Sequence, residues 1–516
     1  MPHRIRISAV LAICLIALPV SCTRPPAGRT PAVTIVNVRI IDGTGRPARL
    51  GSVRIEDDTI AAVGDLTPAV GDSVIDGHGL VLAPGFIDTH SHHASGLSSQ
   101  PDALPVVSQG ITTLVAGQDG GHPIPLARTL DSLQERPVAV NVAYYAGHGS
   151  IRRAVMGTDF QRAATTSEVD SMAAVLRQEL NAGALGLSSG LEYDPGIYSS
   201  RAEVLQLARV SAAAGGRYIS HLRSEDRDFW AAIDEIITIG REARLPVQIS
   251  HMKLGMIPLW GHADSLFARL NSARAAGVDI TADVYPYPFW QSTLTVLFPK
   301  RDFTNRVEAE KILREIAKPE RLLIGDFAAN PAYRGQTVAQ IAGLRKESPA
   351  STLMGLIAES LAWERANPDA QESSESVVAT SMSERDVAML LAWPHTNVCS
   401  DGSMDGAHPR GFGAFPRVLA TYVRDSSVLS LETAVMKMTS LAAAHVGLSR
   451  RGTIAPGAFA DLVLFDPATV TDHATPAQPH RVSTGISTVW VNGREVWQSG
   501  STTGKHPGRV LRRAAR

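Results

Sequence analysis

A (β/α)8 barrel of the TIM type, carrying a small β-sandwich domain formed from both chain ends, is the α/β architecture that this sequence predicts. Three observations lead to it. Short apolar runs alternate with amphipathic helical stretches through the middle of the chain. Histidines and carboxylates recur where those runs end. Strand-like segments separated by Gly, Asp and Pro flank the whole, at 32–82 and again at 448–505.

The chain has 516 residues, enough for a large catalytic domain and a smaller one. Its 49 basic and 50 acidic residues leave a net charge of -1, with no basic patch or acidic tail, so nucleic acid is not an expected partner. Residues 1–22 read as a bacterial export signal. Arg4 and Arg6 precede an apolar core from Ala9 to Val20 that is too short for a comfortable membrane span. Leu18-Pro19-Val20-Ser21-Cys22 is similar to a lipoprotein cleavage box, with Cys22 as the lipidated residue. Pro19 fits that box poorly, which leaves cleavage and release, or an uncleaved anchor, open. The expected location is therefore outside the cytoplasm: periplasmic, anchored to the membrane through an N-terminal lipid, or secreted. Residues 23–31, rich in Pro, Arg and Thr, read as a flexible linker. Cys14 and Cys22 belong to the signal, so Cys399 is the one cysteine of the folded part and no internal disulfide is expected there.

In chain order, Val33 to Val38, Ser52 to Ile55 and Thr59 to Val63 open the β domain. Asp461 to Phe465 and Ser487 to Val491, with the turn Asn492-Gly493, complete it. Between them, 83–447 is assigned to the barrel. Its first strand precedes His90. The others are Ile111 to Ala116, Val138 to Tyr145, Ala184 to Ser188, Tyr218 to His221, Val247 to His251, Asp279 to Tyr285 and Thr396 to Ser400. Helical stretches such as Ser167 to Ala182 and Phe229 to Ala243 lie between most of them. Residues 288–380 are too many for one β/α unit and are read as an extra helical insertion near the barrel mouth.

His90 and His92 stand at i and i+2 directly after an apolar strand, so both imidazoles point to the same face. Such a pair suits a metal ion. Other polar groups follow the same rule: Asp119 after the second strand, His148 after the third, Glu192 and Tyr193 after the fourth. His221 closes the fifth, His251 the sixth, and Asp401 the eighth. A lone strand-end histidine is more often structural than a ligand. Four histidines and an aspartate in phase with the strands, on the face where barrels carry their chemistry, point to a metal site.

These residues resemble the amidohydrolase superfamily, and more narrowly its N-acyl-D-amino-acid deacylase (D-aminoacylase) group. The resemblance covers the chain after the export signal. It rests on Ala83-Pro84-Gly85-Phe86-Ile87-Asp88-Thr89-His90-Ser91-His92, Gly183-Ala184-Leu185-Gly186-Leu187-Ser188-Ser189-Gly190-Leu191 and Ile249-Ser250-His251-Met252-Lys253. Asp283-Val284-Tyr285-Pro286-Tyr287, Ser400-Asp401-Gly402, His408-Pro409-Arg410 and the closing stretch from Gly452 to Leu462 extend it. The resemblance implies one or two zinc ions, with His90 and His92 at one position and His221 and His251 at the other. It implies Asp401 as the general base. It also implies Arg410 as the cation that takes a substrate carboxylate, assisted by Tyr193 and Lys253. His148 either faces the site and orients the scissile carbonyl or caps a loop. Phe289 to Thr293 are expected to shape the side-chain pocket, with Phe289 and Trp290 as an apolar wall or as core. Cys399 is read as a small buried residue.

One departure stands out. Related deacylases carry Asn-Cys-Gly after strand two, where this chain has Gly117-Gln118-Asp119-Gly120. Two carboxylates compete to join the metal positions. Glu192, at the end of strand four, is favoured as the bridge, with Asp119 beside it as a ligand or as support for one. The resemblance implies hydrolysis of N-acyl-D-amino acids, or of dipeptides with a C-terminal D-residue. An L-dipeptidase or cyclic amidase is the alternative enzyme, and a non-catalytic binding lipoprotein the alternative class. The His-Pro-Arg motif speaks against cyclic amides, which lack a free carboxylate. The intact histidines and Asp401 speak against a dead scaffold. Nothing in the sequence sets an oligomeric state.

Overall fold

The computed structural model describes Met1 and residues 32–370 and 373–514. Apart from Met1, the expected export signal with Cys22 and the expected linker at 23–31 lie outside the described residues. Eight parallel strands make the barrel: β1 (Phe86–Asp88), β2 (Ile111–Ala116), β3 (Asn141–Tyr144, resuming at Ala146–Gly147) and β4 (Gly186–Gly190). They continue with β5 (Arg217–His221), β6 (Val247–Ile249), β7 (Ile280–Val284) and β8 (Thr396–Val398). Neighbours pair in sequence order from β1 to β7, and β8 pairs with β7. At the break in β3, Tyr145 N donates to Ala116 O (2.9 Å) and Leu185 N to Tyr144 O (2.8 Å), which keeps the wall bonded. Almost every strand residue is buried, as a parallel sheet covered by helices requires.

The barrel closes between β8 and β1 just beyond the strands. Asp401 N donates to His90 O (2.9 Å) and His92 N to Gly402 O (2.8 Å). Below them the Asp88 carboxylate accepts from Ser400 N (2.8 Å). Closure therefore fixes the register of the His90/His92 pair against Asp401. The helices match the sequence pattern. Phe229–Ala243 is as expected. Thr166–Ala182 starts on a capping box, in which Thr165 Oγ1 accepts from Glu168 N and Glu168 accepts from Thr165 N (2.7 Å).

The two chain ends combine in one continuous nine-stranded sheet. The seam is the antiparallel pairing of Val81–Pro84 with Leu462–Phe465. Strand Val33–Ile40 changes partner along its length, pairing first with Ser73–Asp76 and then with Val81 and Leu82. Asn37, at φ +59°, marks the change. Ile35, Val53, Leu464 and Trp490 pack together in the core of this sheet.

The insertion is not purely helical, as the sequence suggested. Strands Phe289–Ser292 and Leu322–Phe327 flank Glu375–Thr380 in an antiparallel sheet of three, accompanied by helices Arg306–Glu315, Val338–Arg345 and Pro349–Ala366. These strands pair across long separations in the chain, so no local hairpin signal announced them. Trp290 Nε1 donates to Ser381 Oγ (2.6 Å), which ties the sheet to the segment re-entering the barrel.

Glu375 is buried inside this insertion. One oxygen accepts from Leu294 N (2.6 Å) and the other has no hydrogen-bond partner among the described residues. Burial pushes its carboxyl up to about 8. The folded pKa lies above the unfolded one, so the stability linked to this group is fully present below about pH 4 and is lost as pH rises toward 8. Glu375→Gln should raise the thermal midpoint at pH 8 and leave it nearly unchanged at pH 4. Calorimetric scans at the two pH values check this, and equal shifts would contradict it.

Candidate metal centre

Six strand ends converge at the mouth of the barrel. The Asp119 carboxylate lies in the middle. Its Oδ2 is 3.3 Å from His90 Nε2 and 3.2 Å from His92 Nε2, and its Oδ1 is 3.4 Å from His251 Nε2. Asp401 Oδ1 approaches the same two histidines, at 3.4 Å and 3.2 Å. His221 Nδ1 and His251 Nε2 face each other at 3.1 Å. The ligand atoms thus form two sets, each within 4.8 Å: His90, His92, Asp119 and Asp401 in one, Asp119, His221 and His251 in the other. Asp119 belongs to both.

Glu192 does not occupy that central place. Its Oε2 meets His221 Nε2 (2.9 Å), and together with Glu225 they make a third, outlying set. The backbone explains the difference. After β2 the chain turns sharply through Gly117 at φ +76° and Asp119 at φ +52°, which carries a short carboxylate over the barrel mouth. A Cβ at Gly117 would run into the Tyr145 carbonyl. After β4, Arg301 of the insertion donates to Glu192 O (3.0 Å), and the Glu192 side chain meets His221 alone among the four histidines.

Three residues of the cluster, Asp119 (φ +52°), His251 (φ +32°) and Asp401 (φ +50°), sit in left-handed backbone conformations without being glycine. Each costs about 1 kcal/mol or more, and such strain gathers at functional sites. The charges are arranged for a cation. Burial alone would raise the Asp119 carboxyl, but the charges of His90 and His251 hold it well below the usual range. Burial works against a charge on His92 too, yet Asp119 and Asp401 lift it to about 9. Burial, then the neighbouring charges of Asp226 and Glu225, push Glu192 well above the carboxylate range. Asp119 Oδ1 is buried with no hydrogen-bond partner among the described residues, an acceptor that a metal ion would satisfy. Imidazoles and carboxylates at these positions are a donor set that suits zinc and its neighbours.

Around the cluster, Arg410 Nη1 donates to Asp401 Oδ2 (2.6 Å) and its guanidinium lies over the Tyr285 ring at 4.8 Å. The Tyr193 ring packs on His221 at 4.3 Å. Lys253 Nζ meets Glu225 Oε2 (2.6 Å) and His251 Nδ1 (2.7 Å). Trp290, Gln291 and Ser292 line the cavity above, whereas Phe289 packs against His408. Cys399 is fully buried, as expected. His148 is not at the site. It starts a short helix and pairs through Nε2 with Glu203 (2.8 Å), which also binds Arg152. A buried carboxylate on helix Arg201–Ala213 captures the imidazole, and the orienting role expected for His148 falls away.

The sequence reading missed Glu225 and Asp283. Glu225 lies four residues beyond the strand-end His221, in His221-Leu222-Arg223-Ser224-Glu225, and reaches His251 Nδ1 (3.1 Å). That spacing was its only available signal. Asp283, inside β7, accepts from His251 N (2.6 Å) and Gln248 Nε2 (2.5 Å), and so braces the unusual His251 backbone.

A parallel barrel with two overlapping sets of metal donors at its C-terminal mouth defines a class, the metal-dependent barrel hydrolases. The chain belongs to the amidohydrolase family, whose model matches residues 73–282 and 305–497. It is 36% identical over 501 residues to the D-aminoacylase of Alcaligenes xylosoxydans xylosoxydans, covering 92% of this chain and 96% of that one. A solved D-aminoacylase structure, described for its binuclear metal centre, superposes with a TM-score of 0.82 at 36% identity, over 93% of this chain and 99% of that one. The N-acyl-D-glutamate deacylase of Bordetella bronchiseptica, solved with zinc and a phosphonate mimic of the tetrahedral intermediate, also gives 0.82, at 33% identity and the same coverage.

The central position of Asp119 has a direct consequence. Asp119→Asn should lower the bound divalent metal, measured by elemental analysis after gentle purification, to half or less of the wild-type content. Glu192→Gln should retain most of it. The reverse order would restore Glu192 as the bridge.

Proposed function

We propose that this protein is a zinc-dependent hydrolase of N-acyl-D-amino acids, and that His90, His92, Asp119, His221 and His251 hold one or two zinc ions. The observation that carries the reading is Arg410, a buried guanidinium that lines the same cavity as Asp119, Asp401 and Tyr193. A cation there selects a substrate with a free carboxylate beside the scissile amide. Zinc, when bound, would acidify a water and polarise the amide carbonyl.

The protein's own groups supply the proton traffic. Burial alone would raise the Asp401 carboxyl, but Arg410, His251 and His90 hold it far below the usual range, so it is ionised. Arg410 occupies Oδ2, and Oδ1 faces the histidines. In the reaction Asp401 takes a proton from the attacking water as the new C–O bond forms. It then gives that proton to the amine nitrogen as the C–N bond breaks, releasing a carboxylate and a free amino acid. Arg410 has further N–H donors for the substrate carboxylate, and the Tyr285 ring steadies its plane. Tyr193 closes the opposite wall of the cavity. Lys253 is paired with Glu225, so its role is to hold the His251 side of the cluster more than to meet the substrate.

The D-configuration rests on the likeness to D-aminoacylase over 92% of this chain. The export signal at 1–22, with lipidation at Cys22, remains part of the proposal. Among the described residues, no helix is long and apolar enough to cross a membrane.

Paired D- and L-forms of N-acetyl amino acids and dipeptides test the reading. Turnover is expected in the D-series, and preference for the L-series would overturn the stereochemical assignment while leaving the metal chemistry standing. Asp401→Asn should lower kcat by about a thousandfold with metal content retained. Activity near wild type would remove Asp401 as the base.

A further inference from the structure

The metal cluster lies between two cavities. The first, about 360 Å³, holds Arg410, Tyr193 and Asp401 together with Ser292 and Thr293 of the insertion. The second, about 800 Å³, opens on the other side of the barrel mouth, over the ends of β1, β2 and β3. His92 and Asp119 line both. The His92 side chain is 39% exposed, so the cluster is open on this face. Nothing in the hydrolysis of a small acylated amino acid requires the second space.

Its walls have a distinct chemistry. Ala94, Leu97, Pro123, Leu133 and Tyr144 supply apolar surface, and Ser91, Ser95, Ser98, Gln118 and His122 supply polar groups among them. Helix Leu126–Glu135 contributes Arg128, Thr129, Ser132 and Leu133, spaced so that all four fall on one face. Asp119 is the only carboxylate among the lining residues, and Arg128, exposed on the helix, is the only Lys or Arg. The volume falls within the range of sites that enclose whole small ligands.

We propose that this cleft holds the acyl half of the substrate, and that the preferred acyl group is an extended, uncharged chain of the medium- or long-chain fatty acyl type. This rests on the amide-hydrolase reading above. If the amino-acid carboxylate is held by Arg410 in the first cavity, the scissile bond falls at His92 and Asp119. The acyl group must then leave on the far side, where apolar side chains alternate with hydroxyl and amide groups and few charges line the cleft. An acetyl group would leave most of the cleft filled with water, whereas a longer chain displaces that water from apolar surface.

The test compares N-acetyl, N-octanoyl and N-dodecanoyl forms of one D-amino acid on the zinc-loaded protein. kcat/KM is expected to rise about tenfold or more from acetyl to octanoyl. Leu133→Asp places a charge in the apolar wall, and Ser98→Trp, at an exposed position on the rim, fills the entrance without touching the core. Both should collapse the octanoyl-to-acetyl ratio toward one. Acetyl turned over as fast as octanoyl, or a ratio that survives in both variants, would overturn the proposal. Calorimetry supplies a readout independent of turnover. Dodecanoate should bind the zinc-loaded protein at least about tenfold more tightly than acetate, with the advantage lost in the variants. If no N-acyl-D-amino acid is hydrolysed, the amide reading fails, and the dodecanoate comparison still decides the cleft: equal binding of the two acids would sink it.

Discussion

The position of one short carboxylate organises this protein's active face. Asp119 reaches His90 and His92 with one oxygen and His251 with the other. Its backbone is held in a left-handed turn to do so, and the turn is possible because Gly117 packs its bare Cα against the Tyr145 carbonyl. The break in β3 beside Tyr145 belongs to the same arrangement, since Tyr145 N bonds to Ala116 O just before the turn. Barrel closure supplies the other half. The bonds from Asp401 N to His90 O and from His92 N to Gly402 O set the histidine pair against Asp401. Asp88, buried beneath them and bonded to Ser400 N, holds that closure in place.

The environment is built to be completed by a cation. Four imidazoles and several carboxylates gather at the barrel mouth, where Lys253 and Arg410 bring positive charge close to the cluster. Both of those are already paired, with Glu225 and Asp401. The shifts follow from this imbalance. Asp119 and Asp401 are drawn down by the histidines and Arg410 around them, while Glu192, although it meets His221, is driven up by burial and by the charges of Asp226 and Glu225. The same imbalance separates the roles of the two carboxylates that the sequence could not rank. Asp119 touches histidines on two sides. Glu192 meets one histidine and lies in the field of two like charges, Asp226 and Glu225.

Much of the fold was legible because it rests on periodicity. The eight barrel strands were marked by apolar runs ending in polar residues, and Phe229–Ala243 by its amphipathic repeat. The four histidines and Asp401 could be placed because a strand end fixes where a side chain points. What the sequence left hidden depends on long-range packing. The insertion's strands pair across many intervening residues. His148 looked like a site residue until Glu203, on another helix, was seen to hold it. Glu225 reaches the cluster only because the loop after β5 doubles back toward His251. The preference for Asp119 over Glu192 depends on two loop geometries that no motif encodes. The end sheet shows the same limit, since its strands could be read locally but their joining through Val81–Pro84 and Leu462–Phe465 could not.

The most direct measurement is a crystal structure of the zinc-loaded protein with the ions located by anomalous scattering. Ions are expected on either side of the Asp119 carboxylate, one toward His90 and His92 and the other toward His221 and His251. A single occupied position would still be expected to have Asp119 as a ligand. Ions bridged by Glu192, with Asp119 turned away, would contradict the central claim.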